Sequence, residues 1–316
     1  MLIKMAEQKL IFTLKFLAVL LLLLIFIQIS LGSAVRLTGS GLSCPDWPLC
    51  YGLWFPDQDK LSKISDVNFE FYQIMLEWIH RFNAAVFIAP VTLLLFFVGL
   101  KTIDDKLTKV ILYTIMLTLA LQGLMGGLTV FDKNSPWSVA VHLGLALSLI
   151  FFVLKIFFFS LKLQLIKPLL DKKIKISILV ITIITVLVTM LMGAIVSKSG
   201  SSLACDIWPQ CSNDDVSILQ YNKIIHISHR VLAALSAIFI LLVVNGYKKY
   251  KKYKIIYMIR NILVLLTILQ ILLGATVIFT ELNLFIAMLH QSIAVIIFIM
   301  LSFLFWFTLQ SNFKLN

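Results

Sequence analysis

Long apolar runs dominate the chain and determine its predicted architecture. A transmembrane helix needs about 20 consecutive, mostly apolar residues. Runs of that length cover residues 11–33, 74–100, 108–130, 137–161, 174–196, 223–245, 256–279 and 285–309. The first run is too long for the apolar region of a signal peptide, and no clear small-residue cleavage site follows it, so we expect it to remain as a helix. The pattern therefore predicts an all-α integral membrane protein with eight transmembrane helices.

Composition and charge placement support a membrane protein. Apolar residues make up 60% of the chain and charged residues only 13%. The net charge of +12 would suggest nucleic acid in a water-soluble protein, but most of the 27 Lys and Arg residues lie in alternate loops and at the termini. The positive-inside rule then predicts two cytoplasmic termini. We interpret the basic run 248–254 as a topology signal beside anionic membrane lipid, and we expect no nucleic-acid partner.

The location of the protein is predicted from its amino terminus. This segment lacks the Arg- and Ser-rich amphipathic character of an organelle presequence. A bacterial inner (plasma) membrane is therefore the simpler interpretation.

The second half of the chain repeats the first. The matched segments are Gly39–Cys50 with Gly200–Cys211, Glu77–Arg81 with His226–Arg230, Leu121–Gly127 with Leu269–Ala275, and His142 with His290. A duplication of this length predicts two pseudo-symmetric four-helix bundles, formed by residues 1–165 and 166–316. The halves should be parallel, because four spans return the chain to its starting side.

All five histidines lie in predicted even-numbered helices: His80, His142, His226, His229 and His290. Ionisable groups inside a membrane are costly and mark functional sites by default, although a hydrogen bond to a neighbouring helix is a structural alternative. His80 and His142 in one half, and His229 and His290 in the other, fall near one level on alternate helices. Two such imidazoles can bind one iron from opposite sides. We therefore predict one heme per half, with zinc or copper alone as the alternative.

We call His80, His142, His229 and His290 the clamp histidines. The two halves differ three residues before the first clamp histidine of each half, where Glu77 corresponds to His226. Spacing i, i+3 puts each on the face of its clamp histidine. A buried carboxylate beside a heme is costly unless it transfers protons or stabilises positive charge, so Glu77 is the candidate catalytic residue of a reactive first half. A salt bridge to Arg36 or Arg81 is the alternative. Arg81 and Arg230 are candidate contacts for heme propionates.

The four cysteines form two pairs in predicted extracytoplasmic loops: Cys44 with Cys50, and Cys205 with Cys211. That compartment favours disulfides, and five intervening residues are compatible with a local loop closed by one bridge. A thiolate metal site would need more ligands. We expect two structural disulfides. Thiols that take part in redox exchange or capture a porphyrin substrate remain the alternative.

These motifs together resemble the heme A synthase family over essentially the whole chain. The resemblance rests on the C-P-D-W-P-L-C loop and its repeat, the E-W-I-H-R segment, the second H-R pair and the two later single histidines. It implies an enzyme that oxidises the C8 methyl group of heme O to the formyl group of heme A. The implied route is successive hydroxylation to a gem-diol that loses water, with electrons from outside passing through heme b.

The resemblance also implies a role for each half. The second half would hold heme b as a cofactor between His229 and His290. The first half would receive heme O between His80 and His142, and Glu77 matches the functional glutamate of the family. The resemblance gives His226 no defined role, so it remains a competitor of His229 for the iron.

A di-heme b-type electron-transfer protein, or a heme-carrying protein, is the alternative function. Conduction across a membrane needs hemes near opposite surfaces, whereas both predicted sites here lie near one surface. Heme O synthase and an electron donor outside the chain are the protein partners compatible with the synthase interpretation.

Overall fold

Eight long helices make up the structure, a computed structural model that describes residues 2–161, 176–211, 220–248, 251 and 254–312. They are α1 (Leu2–Leu37), α2 (Phe71–Thr102), α3 (Lys106–Phe131), α4 (Pro136–Ser160), α5 (Ile176–Lys198), α6 (Gln220–Gly246), α7 (Lys254–Phe279) and α8 (Leu284–Asn312). Each contains a segment long and apolar enough to cross a membrane. The predicted all-α class and the eight spans are confirmed, with the largest difference at α1, which begins nine residues earlier than predicted.

The helices form two compact units, Met1–Ser160 and Leu161–Asn316. In the first unit α1 packs against α2, α2 against α3, α3 against α4, and α4 returns to α1. In the second unit α5, α6, α7 and α8 form a ring of contacts in the same order. Each unit is therefore a four-helix bundle with an interior where side chains from facing helices can meet. The assignment of one heme to each half stays a prediction.

The surface of the helices is apolar, as lipid requires. Phe12, Leu124 and Phe131 are each about 70% exposed, while leucines such as Leu21 and Leu147 fill the interior with no exposed surface. A water-soluble protein rarely exposes apolar side chains in such numbers. The chain is a multi-pass membrane protein.

Helix α2 contains the clearest irregularity in the spans. A π-helical turn over Asn83–Ile88 separates α-helical segments Phe71–Phe82 and Ala89–Thr102. The corresponding part of α6 is α-helical throughout. Single π turns inside α-helices are rare and often lie at functional sites, so this turn distinguishes the first half from the second.

Both cysteine loops are closed by disulfides, Cys44–Cys50 and Cys205–Cys211. The disulfide prediction is confirmed, and no cysteine is free. In the first loop both half-cystines are fully buried and pack with Leu61 and Ile74. Ile74 belongs to α2, so the loop rests on the N-terminal end of the helix that carries His80.

Candidate functional site

Each clamp histidine packs on a glycine of the preceding helix. The pairs are His80 with Gly32, His142 with Gly126, His229 with Gly193 and His290 with Gly274. A Cβ added at Gly32, Gly193 or Gly274 would lie 3.0–3.1 Å from the imidazole Cε1, which is tighter than nearly all real contacts. At Gly126 the distance would be an ordinary 3.6 Å. Only glycine therefore lets the ring lie so close to three of the four backbones.

The two imidazoles of each half lie across one bundle from each other, within electrostatic range. His80 and His142 are near enough to interact electrostatically, and so are His229 and His290. The structure thus brings together the same pairs that the sequence repeat predicts. Because each pair comes from alternate helices of one bundle, a flat ligand between the rings would be surrounded by the four helices.

Glutamine amides contact three of the four imidazoles. Gln28, Gln122 and Gln270 each place Nε2 3.2–3.3 Å from the Nε2 atom of His80, His142 and His290, respectively. Each glutamine lies four residues, or about one helical turn, before the glycine under the same imidazole. At the fourth position the residue is Thr189, whose backbone carbonyl is 3.1 Å from His229 Nδ1.

The remaining imidazole nitrogens of three clamp histidines have no protein partner. The Nδ1 atoms of His80, His142 and His290 are buried without a hydrogen-bond partner. In His229 the carbonyl can only accept, so Nδ1 carries the proton and Nε2 keeps its lone pair for another partner. Iron takes such a lone pair, which in His229 is open and in the other three histidines becomes available when the glutamine amide turns away. The residues therefore fit a heme between each pair of histidines.

Glu77 anchors the first cysteine loop. Its Oε2 accepts hydrogen bonds from the Cys44 N–H at 2.9 Å and the Ser43 hydroxyl at 3.0 Å. Its Oε1 forms a salt bridge of 2.7 Å with Arg81. The carboxylate is buried, with 5% of the residue exposed, so these three donors compensate for its desolvation. The predicted alternative of a salt bridge to Arg81 is present, and the catalytic role of Glu77 stays a prediction.

The Glu77 carboxylate also affects a neighbouring loop residue. Burial, followed by the charges of Glu77 and Asp46, raises the pKa of Tyr51. Asp46 accepts the backbone N–H groups of Tyr51 and Gly52 at 2.6 and 2.8 Å. The first loop is therefore held from inside by Asp46 and from the helix by Glu77.

The arginine that follows each first clamp histidine binds the cysteine loop. Arg81 donates to the carbonyls of Cys44, Asp46 and Leu49. Arg230 donates to the repeat equivalents Cys205, Ile207 and Gln210, and also to Pro209. With its bond to Glu77, Arg81 has acceptors for all four terminal N–H groups. A heme propionate would have to replace one of them, and the propionate contacts of Arg81 and Arg230 stay predictions.

Comparison with known proteins identifies the family. The family model described as "Cytochrome oxidase assembly protein" matches residues 15–302, nearly the whole chain. Proteins named heme A synthase from Geobacillus kaustophilus and Geobacillus thermodenitrificans are each 30% identical over 92% and 89% of this chain, and 90% and 87% of their own. The heme A synthase of Bacillus pumilus is 32% identical over 72% of this chain and 73% of its own.

The chain belongs to the heme A synthase family. The sequence resemblance that predicted this family is thereby confirmed.

His226 does not share the environment of Glu77 in this heme A synthase family member. Its ring lies near the backbone of Ser201 in the second cysteine loop, and its Nδ1 is buried without a hydrogen-bond partner. Glu77 and His226 thus both face the loop of their own half, although only Glu77 has a salt bridge to the following arginine. His229, rather than His226, packs on the glycine of α5, so the geometry favours His229 as the clamp residue.

Sequence reasoning missed the amides that contact the histidines. Gln28 and Asn83 are both buried, and Asn83 donates to Gln28 Oε1 at 2.7 Å. The signal was present, because polar residues inside apolar spans are rare and Gln28, Gln122 and Gln270 all precede a glycine by four residues. The π turn at Asn83 had no such signal.

A site for a metal ion alone has little support. Within the described ranges, no group of three or more His, Cys, Asp or Glu side chains is arranged to hold an ion. Protein sites for zinc use three or four such ligands. The paired imidazoles therefore suit an iron that brings its own macrocycle.

Proposed function

We propose that this protein is a heme A synthase that oxidises the C8 methyl group of heme O to the formyl group of heme A. One observation carries the proposal. Each bundle has two half-buried imidazoles on alternate helices, packed on glycines, in a chain whose relatives are named heme A synthase. Two such sites in one chain match a reaction that needs a heme as substrate and another as electron carrier.

The first bundle is proposed to bind heme O between His80 and His142. Glu77 is the residue that makes this half the better candidate, because its carboxylate can stabilise positive charge that develops on the substrate or take part in proton transfer. Ser43, Cys44 and Arg81 hold Glu77 in place. The cysteine loop over the helix end would exclude water from the reacting methyl group.

The second bundle is proposed to bind heme b between His229 and His290. Heme b supplies one-electron transfer when it is bound. The chain contributes an imidazole whose tautomer is set by the Thr189 carbonyl, an arrangement that orients a metal-binding histidine. Successive hydroxylation of the methyl group requires an electron donor outside the chain, and heme O synthase is the proposed source of substrate.

We further propose a bacterial plasma membrane location with both termini in the cytoplasm. This orientation puts the basic segment 248–254 inside and the two disulfide loops outside. Disulfides persist in that compartment. Both proposed heme sites then lie toward the outer surface, where the cysteine loops cover them.

The decisive experiment is co-expression with a heme O synthase, followed by heme extraction and chromatography. The parent should yield heme A or its alcohol precursor. Recovery of only unmodified heme b and heme O would contradict the synthase function and favour a di-heme electron-transfer or heme-carrying protein.

Two variants separate a catalytic Glu77 from a structural one. Glu77→Gln removes the charge that faces Arg81, whereas Asp46→Asn weakens the same loop without touching Glu77. Loss of heme A in Glu77→Gln alone, with both disulfides intact by thiol labelling, would support a role in the reaction. Equal losses in the two variants would reduce Glu77 to a loop anchor.

A further inference from the structure

Among the glutamines that contact clamp histidines, Gln28 is the one whose amide oxygen and amide hydrogens all have protein partners. Asn83 donates to its Oε1 at 2.7 Å, which fixes the orientation of the amide. Its Nε2 then donates to the backbone carbonyl of His80 at 3.0 Å and to His80 Nε2 at 3.2 Å. Both amide hydrogens are used, and both Gln28 and Asn83 are buried.

This arrangement occupies the lone pair of His80. A neutral imidazole has one lone pair, and here it lies on Nε2, because that atom accepts from Gln28. Iron could bind Nε2 only after the Gln28 bond breaks. Iron could bind Nδ1 only after the ring proton moves to Nε2, where it would face the Gln28 donor. In either case the amide must turn away against its bonds to Asn83 and to the His80 carbonyl.

The other clamp histidines are held less firmly. Gln122 and Gln270 also reach their histidines, but their Oε1 atoms are buried without a partner, so nothing fixes the amides. No glutamine amide contacts His229. Its Nδ1 donates to the Thr189 carbonyl, which leaves the lone pair on Nε2 open. In the repeat, Thr189 corresponds to Gln28 and Leu232 to Asn83.

We propose that Gln28, fixed by Asn83, is a positioning residue that competes with iron for His80 and makes the first-half heme exchangeable. The inference rests on the proposed function in that it requires heme to bind between His80 and His142. A substrate site must release its product at every turnover, whereas a cofactor site must retain its heme. Gln28, which competes with iron, stands in the proposed substrate half. Thr189, whose carbonyl leaves the His229 lone pair open, stands in the proposed cofactor half.

The test measures transfer of heme from the purified full-length protein, loaded with protoheme in detergent, to excess apomyoglobin. We expect a fast phase and a slow phase. The phase that disappears in His142→Ala belongs to the first half, and the one that disappears in His290→Ala belongs to the second. Because a hydrogen bond contributes modestly to stability, Gln28→Thr should slow the first-half phase by about 2- to 10-fold.

Further variants distinguish competition for iron from a structural defect. Asn83→Leu leaves Gln28 in place but frees its amide, and it should slow the same phase by a smaller factor. The reciprocal change, Thr189→Gln with Leu232→Asn, should speed up the second-half phase. A structural defect in Gln28→Thr would instead speed up release and lower the melting temperature.

An unchanged or faster first-half phase in both Gln28→Thr and Asn83→Leu would overturn the inference. This outcome is separate from failure of the proposed function. A protein that shows the expected release phases but makes no heme A would contradict the synthase function alone. A protein that makes heme A with unchanged release rates in these variants would contradict only the role of Gln28.

Discussion

The contact between Gly32 and His80 leads to the sharpest prediction, that Gly32→Ala selectively weakens heme binding in the first bundle. The added Cβ would lie 3.0 Å from His80 Cε1, so the imidazole must retreat by a few tenths of an ångström. The ring has little freedom to do so, because Gln28 holds both its Nε2 atom and its backbone carbonyl.

The expected loss of heme affinity follows from the cost of adding a methyl group to a packed interior. Extra methyl groups in well-packed interiors cost about 1–3 kcal/mol. With about 1.4 kcal/mol for each factor of ten, Gly32→Ala should weaken first-half heme binding by about 5- to 100-fold. Gly126→Ala is the matched control, since its Cβ would lie 3.6 Å from His142 Cε1, an ordinary contact. Alanine also favours a helix over glycine by about 1 kcal/mol, so Gly126→Ala should not lower stability.

The assay is heme content per protein after purification, measured as the pyridine hemochrome, combined with protoheme titration. Gly32→Ala should lose the first-half heme, and Gly193→Ala, with a contact of 3.1 Å to His229, should lose the second-half heme. Melting temperatures establish that each variant is folded. The reasoning is refuted if Gly126→Ala loses as much heme as Gly32→Ala, or if Gly32→Ala retains full affinity.

Three further predictions concern stability, measured by thermal unfolding in detergent. Glu77→Gln should lower the free energy of unfolding by about 2–4 kcal/mol, because one amide cannot accept from both Arg81 and the cysteine loop; an unchanged melting temperature would contradict this. Leu282 has φ +68°, a left-handed conformation that costs a bulky residue about 1–2 kcal/mol, so Leu282→Asn should stabilise the protein, and a lower melting temperature would argue against strain there. The Asp105 side chain caps α3, and its hydrogen bonds with Thr108 lower its pKa below the usual 3.8. Asp105→Ala should therefore cost about 1 kcal/mol at neutral pH, and the difference from the parent should shrink as the pH falls below that value, because protonation of Asp105 weakens the cap in the parent while the variant has no cap to lose.

The spans and the histidine pairs could be predicted from the sequence because each depends on local information. Twenty apolar residues have few alternatives to a helix in a membrane, since every backbone polar group must be satisfied within the segment. The duplication then aligned His80 with His229 and His142 with His290, and the paired cysteines of each loop are only six positions apart. Eight helices, two disulfides and the family are confirmed on this basis.

The partners of the polar side chains could not be predicted in the same way. Arg81 donates to three backbone carbonyls of the cysteine loop, and such carbonyls leave no mark on the sequence. Its contact with a heme propionate stays a prediction. Gln28 meets His80 across two helices, at a distance set by a glycine and a π turn. These contacts depend on helix rotation and depth, which periodicity alone does not determine.

Among the polar residues around the clamp histidines, the two halves differ on one side of each bundle. Gln122, Gly126 and His142 on α3 and α4 recur as Gln270, Gly274 and His290 on α7 and α8. Both halves have the amide contact and a glycine next to the imidazole, although the Gly274 contact is the tighter one.

The opposite side, formed by α1 and α2, has diverged from α5 and α6. There Gln28 corresponds to Thr189, Glu77 to His226 and Asn83 to Leu232, and the π turn occurs only in α2 among the described helices. Because the changes surround His80, the α1–α2 side of the first bundle is where we expect substitutions to separate heme turnover from heme retention. Exchange of these residues between the halves is the direct way to measure that separation.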